Sequence, residues 1–257
     1  MKNTKRLFLM SALTASFLFP FLLVSNPVSA EESNLVNALK SGTAEHHYNS
    51  GNSYGRSGRY EDAIGEYKEA IRLRQDFVEA YSNLGSAYGK LGRYQEAIQA
   101  FEQAVKLKPD FAKAHFNLGS AYYYVGRYQE AVNEYSEAIR LKPDYAEARS
   151  SLALAYEKMG RYQKTIDEYS AAIRLKPDNA AAHFNLGTAY SKLGRYQEAI
   201  PAFKQAIKLK PDFAQAHFNL GIAYVAQGDT GNALEEHKIL KNLDAELATK
   251  LFKLINK

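Results

Sequence analysis

The 257-residue chain has no cysteine. No disulfide can brace it in an oxidising compartment, and no lipid can be carried on a cysteine at a processed N-terminus. Its stability must come from packing. Equally missing are a nucleophile motif, a phosphate-cradling glycine loop and a cluster of acids, the constellations on which catalysis is usually built. The chain therefore reads as non-catalytic, with no cofactor and no metal. His47, His115, His183 and His217 recur at the same place in a long period, and only His46 and His47 are adjacent. A metal needs several ligands at one point, so these rings read as packing residues. Charge of one sign is scarce too: without Lys2, Lys5 and Arg6, the 33 basic residues fall to 30 against 28 acids. A nucleic-acid binder needs a clustered basic surface, and the mixed charges argue against one.

Those three basic residues open a stretch with its own grammar. Leu7 to Val24 is apolar, and Val28-Ser29-Ala30 is a small-residue cleavage site. A basic start, an apolar middle and a small-residue end predict a secretory signal peptide over residues 1–30, cleaved near Ala30. The chain is then exported, periplasmic or secreted, and meets the membrane only transiently. Eighteen apolar residues also suffice to cross a bilayer, so an uncleaved anchor is the alternative, against which Pro20 and the Val-Ser-Ala ending speak. Residues 31–43 read as a short polar, loosely held leader.

From residue 44 the chain repeats. Six blocks of 34 residues, 44–77, 78–111, 112–145, 146–179, 180–213 and 214–247, follow one another without insertion. Gly58, Gly92, Gly126, Gly160, Gly194 and Gly228 hold one place in them, and Tyr54, Tyr88, Tyr122, Tyr156, Tyr190 and Tyr224 another. Each block predicts two helices, with the shared glycine accepting the left-handed turn after the first. Pro109, Pro143, Pro177 and Pro211 stop the second helix, and the following Asp can cap the next one. Asp76 with Glu79 and Asp144 with Glu147 have capping-box spacing. Basic residues in last turns, such as Lys106 and Lys108, oppose the helix dipole. Pro201 falls inside a predicted second helix and removes one hydrogen bond there. One block cannot stand alone, because ordering a residue costs about 1.5 kcal/mol; stacked neighbours must bury one another's faces, and the ends need caps. Leu247, Leu251, Leu254 and Ile255 make residues 245–257 an amphipathic capping helix.

This pattern resembles the tetratricopeptide repeat (TPR). Block two carries Tyr81, Leu84, Gly85, Tyr88, Ala97, Phe101, Ala104 and Pro109; block three carries His115, Leu118, Gly119, Tyr122, Ala131, Tyr135, Ala138 and Pro143. Departures are local: Ser50 for Leu, Ala153 for Gly, Thr165 for Ala, and His237 and Leu240 in block six. The resemblance implies an all-α fold, a right-handed α-α superhelix whose first helices line a concave groove that holds peptides.

At 100° per residue, places four, seven, eight and eleven of each first helix pack inward, and places two, five, six, nine, twelve and thirteen face the groove. The sixth place is Asn49, Asn83, Asn117, Asn185 and Asn219, with Ser151 the gap. An amide can pair with both N–H and C=O of a peptide backbone, as in the asparagine ladder of some TPR superhelices. Tyr48, Phe116, Phe184 and Phe218 at the fifth place, with Tyr123 and Tyr124, offer apolar anchors. Blocks one to four add Glu45, Arg56, Glu79, Lys90, Glu147 and Lys158, and the last adds Ile222, Val225 and Ala226, so the groove should be charged early and apolar late. The carboxylate clamp of some TPR domains is matched by Asn52, Asn83 and Lys113, but Tyr48 and Asn117 replace its other basic residues.

The expected function is a protein–protein interaction scaffold that holds a peptide or partner segment in this groove. The site residues are Asn49, Asn52, Asn83, Lys113, Phe116, Asn117, Tyr123, Tyr124, Phe184, Asn185, Phe218 and Asn219. The alternative is a carbohydrate or cell-wall polymer stacked on the groove aromatics. The partner's identity and the oligomeric state are not set by the sequence.

Overall fold

The computed structural model describes residues 30–256, so the expected signal peptide lies outside the described residues. The chain divides into two compact units, residues 1–41 and 42–257. In the first, the described residues are helical, with Leu35, Val36 and Leu39 exposed. The leader is thus helix rather than loose chain: α1 runs unbroken from Ala30 to Arg56. No proline interrupts residues 30–56, and Leu, Ala, Lys and Glu are good helix formers.

The second unit is an α-α solenoid. After α1 come α2 (Tyr60–Leu73), α3 (Val78–Lys90), α4 (Tyr94–Leu107), α5 (Ala112–Tyr124), α6 (Tyr128–Leu141) and α7 (Ala146–Lys158). They are followed by α8 (Tyr162–Leu175), α9 (Ala180–Lys192), α10 (Tyr196–Leu209), α11 (Ala214–Ala226), α12 (Thr230–Leu243) and α13 (Ala245–Ile255). Odd-numbered helices up to α11 are the first helices of the repeats. From α3 onward each packs on its own second helix and on the second helix before it.

The turn inside a repeat is built the same way each time. Gly92 has φ +73°, its N–H bonds to the Gly89 carbonyl at 3.1 Å, and the Arg93 N–H reaches the Tyr88 carbonyl at 3.0 Å. This paired closure satisfies orphan carbonyls and needs a left-handed residue. The Arg93 guanidinium then lies 4.6 Å from the Tyr88 ring centre and bonds Glu96 at 2.9 Å. Arg59, Arg127 and Arg195 repeat the stacking on Tyr54, Tyr122 and Tyr190. The recurring Tyr is half helix core, half lock for the turn.

The expected capping boxes do not form. The N-cap residues are Phe77, Phe111, Tyr145 and Phe213, one place after the aspartates, and their side chains make no cap bond. A cap is worth about 1 kcal/mol, whereas an aromatic ring can bury 150–250 Å². The chain places the ring in the seam: Phe77 is 4% exposed. Only Asn179, Asp229 and Asp244 cap with side chains, among the described residues.

In repeats one, two, three and five a ring of the second helix fills the place of a missing side chain. A Cβ on Gly85 would sit 2.7 Å from the Phe101 ring, and one on Gly187 equally close to Phe203. In repeat four, Thr165 is fully buried and its hydroxyl bonds the Arg161 carbonyl at 3.2 Å, so the departure leaves no unmet polar group. Helix α10 continues through Pro201, which points to solvent. The departures of repeat six serve the cap: Leu240 is fully buried with Ala248 and Leu251, and His237 stacks on Phe252 at 5.0 Å.

Candidate peptide-binding groove

Along the first-helix face, clefts open between neighbouring repeats. The largest, about 490 Å³, lies between repeats one and two and includes Asn52, Arg56, Asn83, Lys90 and Lys113. The next, about 290 Å³, lies between repeats two and three, with Gly89, Tyr94, Phe101, Asn117 and Tyr124 in its lining. Phe116, Tyr123, Tyr124 and Ser151 line one of about 240 Å³ between repeats three and four. Lys192, Tyr196, Asn219 and Ile222 line another of about 240 Å³ between repeats five and six.

The asparagines do not behave alike. Asn83 donates to Asn52 Oδ1 at 2.8 Å and to the Tyr48 hydroxyl at 3.2 Å. The Tyr67 hydroxyl donates to the same Asn52 oxygen at 2.9 Å. Burial pushes the Tyr67 hydroxyl up to about 12, so it stays a donor at neutral pH. Asn185 donates to the Tyr169 hydroxyl at 3.0 Å, and Asn219 accepts from Gln215 at 3.2 Å. Asn117 has no side-chain hydrogen bond among the described residues and faces the cleft between repeats two and three. Asn49 is exposed. The row is therefore less a ladder of free amides than a set of braces with open rungs at Asn49 and Asn117.

The fifth-place rings also have work inside. Phe116 packs between Tyr135 and Tyr145, with centroids at 5.8 and 5.0 Å. Phe184 packs between Phe203 and Phe213 at 5.9 and 4.8 Å, and Tyr48 between Tyr67 and Phe77. Each is half-buried in the seam, and two of the three still edge a cleft, Phe116 that of repeat three and Tyr48 the one between repeats one and two. Phe218 is a correction to the expected groove set. With Ile222 and Val225 it packs against Leu247, Leu251 and Ile255, so α13 covers it. An apolar face at the end of the array is buried where a cap can reach it.

Tyr124 is the opposite case, 64% exposed. It stacks on Tyr94 at 4.7 Å and 11°, and Tyr123 stands edge-on to both Tyr124 and Tyr128. Tyr94 escaped the sequence reading, although Tyr60, Tyr94, Tyr128, Tyr162 and Tyr196 recur at 34-residue spacing and could have flagged it.

At the packing place, His115 bonds Glu134 at 2.7 Å through Nδ1 and the Pro109 carbonyl at 2.9 Å through Nε2. Two acceptors suit an imidazolium with two N–H groups, and the Glu134 bond raises the His115 pKa against the opposing effect of burial. His47 and His217 bond Glu66 and Glu236, Arg149 bonds Glu168, and His183 reaches only the Pro177 carbonyl. Ala100 and Ala202 take the Glu position in the repeats where Tyr81 and His183 stand. The histidines are spread along the stack, each serving its own repeat.

Stacked hairpins of 34 residues, ringed by this face, have a counterpart among known families. The model of the cilia and flagella-associated protein 70 C-terminal domain, a TPR domain, matches residues 9–248. The chain belongs to this TPR family. Among solved structures, the TPR unit is similar to MamA, with 31% identity, a TM-score of 0.63, and coverage of 67% of this chain and 94% of MamA. It is also similar to MamA from Desulfovibrio magneticus, at 25% identity, TM-score 0.63, covering 66% of this chain and 97% of that one. YrrB, described as a TPR protein with an unusual peptide-binding site, shares the fold at 21% identity and TM-score 0.65, over 73% of this chain and 97% of its own. No curated protein matches the TPR chain.

Proposed function

We propose that the chain is a non-catalytic scaffold, exported and freed of residues 1–30, that holds a partner's peptide segment along the first-helix face. The observation that carries this reading is the run of clefts in register with the repeats, with Asn117 left unpaired beside one of them. Internal hydrogen bonds hold the flanking asparagines in place, so little side-chain freedom is lost when a ligand arrives. One free amide gives only about 1 kcal/mol, so affinity has to come from the aromatic and cationic clefts. A single peptide should bind at about micromolar strength, near −8 kcal/mol.

A photoreactive residue placed at Ser86, Asn117 or Ser191 on this face should crosslink a partner in the native compartment. The same residue at Gln103 or Lys164, on the second helices, should not. Crosslinks from the second helices alone would reject the groove. N-terminal sequencing of the purified chain should start near Glu31, and a start at Met1 would reject cleavage. The glycan reading has one open ring, Tyr124, in its favour. It predicts that Tyr124→Ala abolishes capture while Asn117→Ala has no effect.

A further inference from the structure

We infer that the N-terminal end of the groove is specific for an acidic peptide segment with an apolar neighbour. An Asp or Glu side chain enters the cleft between repeats one and two, and an apolar side chain about three residues away enters the next. This rests on the groove reading and adds the ligand's chemistry to it.

The first cleft gathers three cations from three different first helices, Arg56 on α1, Lys90 on α3 and Lys113 on α5. No carboxylate lines it, and none of the three makes an ion pair among the described residues. Arg59, Arg74, Arg93 and Arg127, by contrast, all do. Helix ends explain two of the three: Arg56 and Lys90 stand in last turns, where a cation opposes the dipole. Lys113 stands in the first turn of α5, which holds no acid. There a cation faces the positive helix end, against its own local stability. Glu45, Glu79 and Glu147 occupy that place in repeats one, two and four. Lys113 is reversed in sign at the repeat where it lines one cleft with Arg56 and Lys90, and an anion held in that cleft compensates all three.

The second cleft differs in kind. Phe101 and Ala97 form its floor, the stacked pair Tyr94 and Tyr124 its wall, and Gly89 its open side. A Cβ on Gly89 would meet nothing within 4 Å. Its volume of about 290 Å³ is below the usual range of small-molecule pockets, roughly 300–1,000 Å³. It suits one apolar side chain. Lys90 and Ser86 line both clefts. Packed helix axes lie about 8–10 Å apart and an extended chain advances about 3.3 Å per residue, which gives the spacing of about three.

The test is to select random octapeptides on the full processed chain and measure the winners by fluorescence anisotropy. Enriched peptides should carry Asp or Glu about three residues from Leu, Ile or Phe. Lys113→Glu should raise helix stability yet weaken such a peptide about fivefold, and adding Arg56→Glu and Lys90→Glu should bring the loss to tenfold or more. High salt should mimic that loss. Gly89→Leu, which fills open space, should cost about tenfold with the fold intact. Enriched peptides without acids, indifferent to Lys113→Glu but lost with Tyr124→Ala, would overturn this inference and leave the groove standing. No enrichment, or binding untouched by every groove substitution, would overturn both. Preference for a single-stranded oligonucleotide over any peptide would overturn it as well.

Discussion

Repeats two and six are written on one template, but the first-helix face of repeat two is open while that of repeat six is largely covered, its Asn219 and Ile222 alone bordering the cleft to repeat five. In repeat two, Gly85 takes the ring of Phe101 from its own second helix, Gly89 leaves a gap, and the face is open. In repeat six, the second helix carries His237 where the others carry Tyr or Phe, and Leu251 of α13 comes in against Gly221 instead. Val225 stands where repeat two has Gly89, and it packs both on the core of repeats five and six and on the cluster that α13 completes. The solenoid supplies the same face everywhere, and whether that face is a groove or a core depends on what the chain lays across it.

The sharpest way to break this contrast is at the cap. Leu251 is fully buried, so Leu251→Ala should cost about 3 kcal/mol through lost transfer energy and a residual cavity. The urea midpoint should fall accordingly, and Phe218, Ile222 and Val225 should become exposed to a fluorescent apolar dye. Tyr124→Ala on the open face should move stability by no more than about 0.5 kcal/mol. Equal losses in the two variants would mean that the face of repeat three is as much core as that of repeat six.

A second contrast lies within one helix. Gly85→Ala drives a methyl into the Phe101 ring, which should destabilise by roughly 1–3 kcal/mol. Gly89→Ala, one turn on, meets open space and should stabilise by up to about 1 kcal/mol, the helix-propensity difference. Thermal melts of the two single variants should move in opposite directions. A shared direction would sink the assignment of Gly85 to the seam and Gly89 to the cleft.

The helices, the turn glycines and the cap could be read from the sequence because they follow from period and backbone conformation. Gly92 and its equivalents announce a left-handed residue, and Leu247, Leu251 and Ile255 an amphipathic face. The face of each first helix was legible for the same reason. What was not legible is competition for the same atoms. Asn185 and Asn83 look free on a helical wheel, but Asn185 donates to the Tyr169 hydroxyl of a second helix and Asn83 to Tyr48 and Asn52 of the preceding first helix, and a wheel holds only one helix. Phe116 and Phe184 look like anchors until the rings of Tyr145 and Phe213 arrive from the next repeat boundary. The aspartates before the first helices look like caps until the aromatic beside them claims the cap position for burial. The missed contacts join one helix to another or to the junction that follows it, which a pattern read on one helix cannot contain.

The smallest effect separates the two regions by pH. In repeat three, the Glu134 bond raises the His115 pKa above its ordinary 6.5. That contribution is complete below pH 6.5 and is lost as pH rises through the higher folded value. His115→Gln should therefore cost more stability at pH 5.5 than at pH 8. In repeat six, burial and then the charge of Lys241 lower the His237 pKa below 6.5. There the unfolded chain binds the proton first, so stability is lost as pH falls through 6.5 toward the folded value. His237→Phe, which keeps a ring on Phe252, should relieve that loss and gain stability relative to the parent at pH 5.5 but not at pH 8. Urea midpoints of the parent and both variants at the two pH values provide the check. The parent alone will show little, because the two histidines pull against each other. Acid tightens the open part of the array while loosening the capped end, and if both variants respond to pH in the same sense, the two histidines do not sit in the opposed environments described for them.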